Sequence, residues 1–214
     1  AYFAHVDWVV SKASEKGITL LLNPAYMGSQ GQTVDTPTDG WWLEIKANGP
    51  EKCRNYGKLL GNRYKQCSNI IWVAGGDRTP PSGGEGEQNG LEILLGIREN
   101  APNHLWTAHW GNDMDSLDVP AFSPYMDLNG VYAYQAPPPG SGSRFSGTGY
   151  VYERMLKAYN RADFKPIFLW EGWYEGLTWG GWTTPSETVR RQAYEASFSG
   201  SIGQNFGSYY TWAF

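Results

Sequence analysis

Two carboxylates stand at the ends of apolar runs in this 214-residue chain. Asp77 follows Ile70-Ile71-Trp72-Val73-Ala74 and the pair Gly75-Gly76, and Glu171 follows the run at 166–170. Apolar runs of this length, closed by glycine or by a charge, read as strands buried on both faces. Carboxylates at the ends of two such strands suit paired acid–base work. One acid protonates a leaving oxygen while the other attacks or activates water, which is the requirement for cleaving a glycosidic bond. The aromatic content fits a half-wet cleft, with 11 Trp and 14 Tyr against 8 Phe. In such a cleft a ring face stacks on a ligand and the polar tip hydrogen-bonds, although a large core also uses these residues.

Other polar or aromatic groups fall at or near strand ends. Asn23, His109, Tyr134 with Gln135, and Trp212 end apolar runs, while Trp42, Arg78, Tyr174 and Glu175 sit in the adjoining loops. All are candidate substrate contacts, and several have a plainer reading. Asp77 can cap the turn after Gly-Gly, and Glu171 can belong to a structural ion pair. His109 can be a hydrogen-bonded spacer, Glu175 can face water, and Trp212 can be core. The stretch Gly83-Gly84-Glu85-Gly86-Glu87 has no recognised cation-loop spacing and reads as a solvated loop.

Competing chemistries lack their residues. The only histidines are His5, His104 and His109, and there is no HxxxH or CxxC, so neither a metal site nor a cofactor is expected. No GxGxxG or Walker loop follows a strand, and without a GxSxG elbow an esterase is disfavoured. With 17 basic against 21 acidic residues the net charge is −4, which argues against a nucleic-acid or anionic-membrane surface. The apolar runs are too short for a membrane-spanning helix. Cys53 and Cys67 share one expected helix. At about 1.5 Å per residue they lie roughly 21 Å apart, beyond the ~7 Å reach of a disulfide.

The elements that must hold these groups follow from periodicity. Helices are expected at 2–16, with Gly17 at the C-cap, and at 51–67, 91–100, 150–160 and 186–199. Strands are expected at 18–22, 70–74, 105–109, 128–134, 166–170 and 209–214, and the loops at 28–50, 78–90, 136–149 and 172–183. Strand and helix alternate, the pattern of a parallel α/β sheet. Six units average about 36 residues, so eight would need roughly 285, within the range of (β/α)8 TIM-type barrels. The chain is therefore expected to be one domain, residues 1–214, holding about six βα units of an incomplete barrel without its first two strands. An open doubly wound sheet is the alternative. Barrel active sites lie at the C-terminal strand ends, where Asp77 and Glu171 fall.

Several stretches resemble one family. Asn69-Ile70-Ile71-Trp72-Val73-Ala74-Gly75-Gly76-Asp77-Arg78 is similar to a hallmark of the apiosidase-like glycoside hydrolases. So are Arg190-Arg191-Gln192-Ala193-Tyr194, the following Ser199-Gly200-Ser201-Ile202-Gly203, Glu171-x-x-Tyr174-Glu175, and His5-Val6-Asp7-Trp8-Val9-Val10. The resemblance spans essentially the whole chain. It implies a (β/α)8 catalytic domain acting on plant cell-wall polysaccharide, the named activity concerning apiose in pectin side chains. It also implies Asp77 and Glu171 as the catalytic pair, an oligosaccharide or polysaccharide partner, and a secreted or periplasmic location. In that reading Asp77 is the acid/base, with Arg78 turned away from it, and Glu171 is the nucleophile, held by Tyr or Asn side chains. A non-catalytic carbohydrate-binding barrel is the other expectation.

Overall fold

The strand runs rich in Ile, Leu, Val and Trp form parallel sheets, and the amphipathic stretches between them form the crossover helices. The protein is described by a computed structural model over residues 1–29, 40–134, 150–179 and 181–212, apart from the side chains of Trp179 and Trp212. Two compact units result.

The first unit comprises Ala1–Trp110 and Val119–Met126. Its order is α1 (Tyr2–Glu15), β1 (Leu20–Leu22), α2 (Trp42–Tyr64), β2 (Ile70–Gly75), α3 (Glu85–Asn100) and β3 (Leu105–His109). The strands pair in parallel in the order β1-β2-β3, with Trp72 beside Trp106. Both indoles are fully buried and stack 6.1 Å apart. Trp72 Nε1 donates to His104 Nδ1 at 2.9 Å, so that nitrogen must keep its lone pair. Burial lowers the His104 pKa, in line with a neutral ring. Helices α2 and α3 touch backbone to backbone, because a Cβ on Gly57 or Gly61 would collide with the Ile93 or Ile97 carbonyl.

The second unit comprises Gly111–Asp118 and Asp127–Phe214. It holds β4 (Asn129–Tyr132), α4 (Val151–Tyr159), β5 (Ile167–Glu171), a small antiparallel hairpin of β6 (Thr178–Trp179) and β7 (Trp182–Thr183), α5 (Ser186–Phe198) and α6 (Tyr209–Trp212). β4 and β5 are parallel, with a bulge between Val131 and Tyr132. Val131, Val151, Met155, Ile167, Leu169 and Ala196 join strands to helices in one core. Arg161, just after α4, binds Asp115, Asp118 and Asp163 and so fastens the 111–118 loop to the helix end.

Several boundaries correct the expectations. Helix α2 begins at Trp42, not Glu51, with a kink where Gly49 takes φ 74° before Pro50. Pro50 then opens the second stretch, as proline does at a first helical position. Helix α3 begins at Glu85, inside the expected 78–90 loop. Its glycines serve packing there: a Cβ on Gly86 would strike the Trp42 indole, and Glu87 Oε2 accepts from Gly83 N at 2.6 Å. The stretch at 83–87 is thus a helix start with Glu87 buried, not a solvated loop. The sixth strand lies earlier than 209–214. Ile202 N donates to Ile167 O at 2.8 Å, Leu169 N to Gly203 O at 3.1 Å, and Asn205 N to Leu169 O at 2.9 Å, so residues 202–205 run parallel beside β5. Residues 209–212 are a short helix instead. Cys53 and Cys67 are both free.

Candidate active site

Asp77 sits two residues past β2 on a turn of unusual backbone. Gly75, Gly76 and Asp77 have φ of 84°, 123° and 53°, a left-handed run that only glycine enters freely. A non-glycine residue held there is strained, and such strain collects at functional sites. Space imposes the glycines as well. A Cβ on Gly75 would strike the His109 carbonyl, and one on Gly76 would strike the Tyr26 ring.

Neighbouring strand ends hold this turn. Asn23, past β1, donates Nδ2 to Gly75 O at 3.0 Å and accepts Ala25 N at 2.9 Å. Met27 N donates to the same Gly75 carbonyl, and Gly76 N donates to His109 O at 2.8 Å. Asn23 and His109, expected as substrate contacts, therefore converge on the Asp77 turn and support it. Arg78 is 5% exposed; its guanidinium lies over the Trp42 indole at 5.1 Å and donates Nη2 to Ser29 O at 3.4 Å. Trp42 is only 1% exposed, pressed between Gly86 and that guanidinium, so it holds Arg78 and offers no open face to a sugar.

Glu171 ends β5 in the second unit among aromatic rings. Tyr134 OH donates to its Oε1 at 2.9 Å, and Tyr132 OH reaches Tyr134 OH at 3.4 Å. Tyr134 packs 4.9 Å from Trp173, which packs 5.0 Å from Trp182. Burial, and then the charge of Glu171, push the Tyr134 phenol well above its usual range, so it remains a protonated donor. Glu171 is thus held by a tyrosine. Gln192, fully buried on α5, grips the backbone next to it: its Oε1 accepts Trp173 N and its Nε2 donates to Trp173 O, both at 3.0 Å.

The remaining expected contacts separate. The Tyr174 ring rests on Gly207. Glu175 lines a depression of about 290 Å³ with Val189, Arg190 and Phe206, against α5. Gln135 and the Trp212 side chain lie outside the described residues, as do the 136–149 loop and residues 30–39. Sequence reasoning passed over Tyr26, Trp41 and the role of Gln192. Gln192 lay within a quoted motif, and Trp41 beside the chosen Trp42. Among the described residues no group of His, Cys, Asp and Glu could hold a metal ion, and no helix is long and apolar enough to cross a membrane.

Comparisons with known proteins agree with this architecture. A solved glycoside hydrolase is 24% identical with a TM-score of 0.74, over 97% of this chain and 46% of its own. A glycoside hydrolase family 5 structure from Bacteroides vulgatus is 22% identical with a TM-score of 0.76, over 97% of this chain and 43% of its own. The catalytic domain of the Thermobifida fusca endoglucanase Cel5A is 11% identical with a TM-score of 0.56, over 96% of this chain and 62% of its own. This chain thus spans less than half the length of the first two, and the likeness is one of fold, α/β with parallel strands. No curated protein matches in sequence. The family model described as "Apiosidase-like, catalytic domain" matches residues 1–214, and the chain belongs to that family.

Proposed function

We propose that this chain carries about six units of a (β/α)8 barrel as one catalytic domain and that its protein hydrolyses glycosidic bonds in plant cell-wall, pectic polysaccharide, apiosidic linkages included. Asp77 is the general acid/base and Glu171 the nucleophile of a retaining reaction. The observation that carries this reading is Glu171 at the end of β5, hydrogen-bonded by the buried Tyr134 among closely packed, mutually tilted rings. A fixed carboxylate against aromatic faces is what attack at an anomeric carbon requires, since the nucleophile must hold its position while the sugar distorts. Asp77 supports the reading through its strained turn, braced by Asn23 and His109.

Atoms balance in two steps. The Glu171 carboxylate forms a bond to the anomeric carbon as the glycosidic oxygen leaves with the proton of Asp77. Water, deprotonated by Asp77, then displaces Glu171 with a second inversion. The test uses the full-length protein on pectic oligosaccharides and aryl glycosides. Glu171→Gln should nearly abolish turnover of every substrate. Asp77→Asn should hurt substrates with poor leaving groups far more than activated aryl glycosides, and azide should rescue Asp77→Ala with retained configuration. Binding without turnover by the wild type would instead support a carbohydrate-binding barrel, and an inverted product would overturn the nucleophile role of Glu171.

A further inference from the structure

Past Glu171 the chain leaves the sheet while its backbone still needs partners. Glu171 O accepts Ala133 N at 2.9 Å, just past β4. Leu169 exchanges bonds with Gly203 and Asn205, and Glu175 with Gly207 and Tyr209. Between Leu169 and Glu175 stands Trp173, and there a side chain takes the place of a strand. Gln192 Oε1 accepts Trp173 N and Gln192 Nε2 donates to Trp173 O, both at 3.0 Å. A carboxamide offers N–H donors and a carbonyl acceptor, the same pair that a neighbouring strand presents. Only one orientation of the amide fits, because Trp173 N must meet its oxygen.

The amide reaches the residue beside the carboxylate as well. A Cβ on Gly172 would stand 2.6 Å from Gln192 Oε1 and 3.0 Å from its Cδ, so only glycine leaves room for it. What this lock holds is more than backbone. The Trp173 ring is buried and packs 4.9 Å from Tyr134, whose OH donates to Glu171 Oε1 at 2.9 Å. Fixing the Trp173 peptide thus fixes the main chain that carries Glu171 and also the ring that backs its hydrogen-bond donor.

We infer that Gln192, closed on Gly172 and Trp173, is the positioning residue of Glu171. From α5, and without touching substrate, it sets the aim of the carboxylate at the reacting carbon. The inference rests on the glycosidase reading above and deepens it by naming a residue whose loss marks the nucleophile's step and spares the acid's. A reacting group misplaced by about 1 Å costs up to about 100-fold in rate. Proton donation to the leaving oxygen is untouched by such a shift, so the loss is the same for good and poor leaving groups.

The test joins kinetics to structure on the full-length protein, with thermal melts setting a temperature at which every variant is folded. Gln192→Met keeps the length of the side chain and removes both bonds. It should lower kcat about 10- to 100-fold, by the same factor on phenyl and dinitrophenyl glycosides, with KM nearly unchanged. Gly172→Ala pushes the amide aside with its methyl group and should give the same pattern, and it carries the test alone should Gln192→Met not fold. In the double variant the two losses should not multiply, since both act through one contact. A crystal structure of either variant should show the bond from Tyr134 to Glu171 stretched past hydrogen-bond reach. An unchanged kcat in the folded variants, a loss confined to the poor leaving group, or a Tyr134–Glu171 bond left in place would each overturn the inference. Losses that multiply in the double variant would do so too. A broken bond in a protein whose wild type hydrolyses no glycoside would leave the positioning role standing and remove the reaction. Hydrolysis unmoved by either variant would do the reverse.

Discussion

Tyr134 illustrates how one hydroxyl holds a reactive group. Its ring is wedged against Tyr132 and Trp173, and its proton is directed at Glu171. Tyr134→Phe keeps the packing and removes the donor. A hydrogen bond to a charged group contributes about 1.5–3 kcal/mol, so kcat should fall about 10- to 100-fold, while the melting temperature changes little. A large fall in melting temperature with unchanged kcat would make Tyr134 purely structural. Residue identity was only partly readable from sequence. Asp77 and Glu171 stood out because apolar runs lead up to them. Which of Trp41 and Trp42 is buried depends on Gly86, 44 positions away in sequence, and on where α2 begins; neither is written in the local pattern.

Among the elements, α4 and α5 act as clamps on loops. Gln192 replaces both lost partners of the Trp173 backbone, and Arg161 gathers the carboxylates of Asp115, Asp118 and Asp163. Gln192→Leu leaves a buried N–H and C=O unmet, which costs about 2–5 kcal/mol and should appear as a lower denaturation midpoint with reduced turnover. Burial and then the Asp118 charge raise the Asp115 pKa, and the Arg161 charge pulls it back down. Arg161→Met should therefore destabilise by about 3 kcal/mol by leaving a buried carboxylate uncompensated. Adding Asp115→Asn to that variant should restore part of the loss, a coupling that a double-mutant cycle reads directly. Simple additivity would show that the two groups do not interact. Element types were legible where hydrophobic period is strong, as at Ile70–Gly75 and Ser186–Phe198. The last parallel segment was not, because Ile202-Gly203-Gln204-Asn205 pairs through its backbone with scarcely an apolar side chain, while the aromatic Tyr209–Trp212 reads as part of a strand and is a short helix.

At the scale of the whole molecule, alternation of strand and helix gave the α/β class, since parallel strands require crossovers and crossovers bury strands on both sides. Such burial also places ionisable groups where pH can reach the fold. His104 is the clearest case, 8% exposed and accepting the Trp72 indole N–H at Nδ1. Its pKa is lowered from the ordinary 6.5 by burial, so the folded protein resists a proton that the unfolded chain accepts. Stability from the neutral ring is complete above about pH 6.5 and is lost as pH falls from there through the folded value, with a slope of up to about 1.4 kcal/mol per pH unit. The depressed carboxyls of Asp7, Glu99 and Asp163 act in the same direction, but only below the ordinary carboxylate range. Asp115, with its pKa raised, acts oppositely, losing stability as pH rises from 3.8. Between pH 6.5 and 5, then, acid destabilisation should carry the signature of His104. His104→Asn can place an amide oxygen near the Nδ1 position, keeping an acceptor for Trp72 while removing the titration. Chemical denaturation at half-unit pH steps should show the wild-type free energy falling on acidification and the variant curve nearly flat over the same window. Superimposable curves would show that Trp72 and His104 do not set the acid limit of this fold.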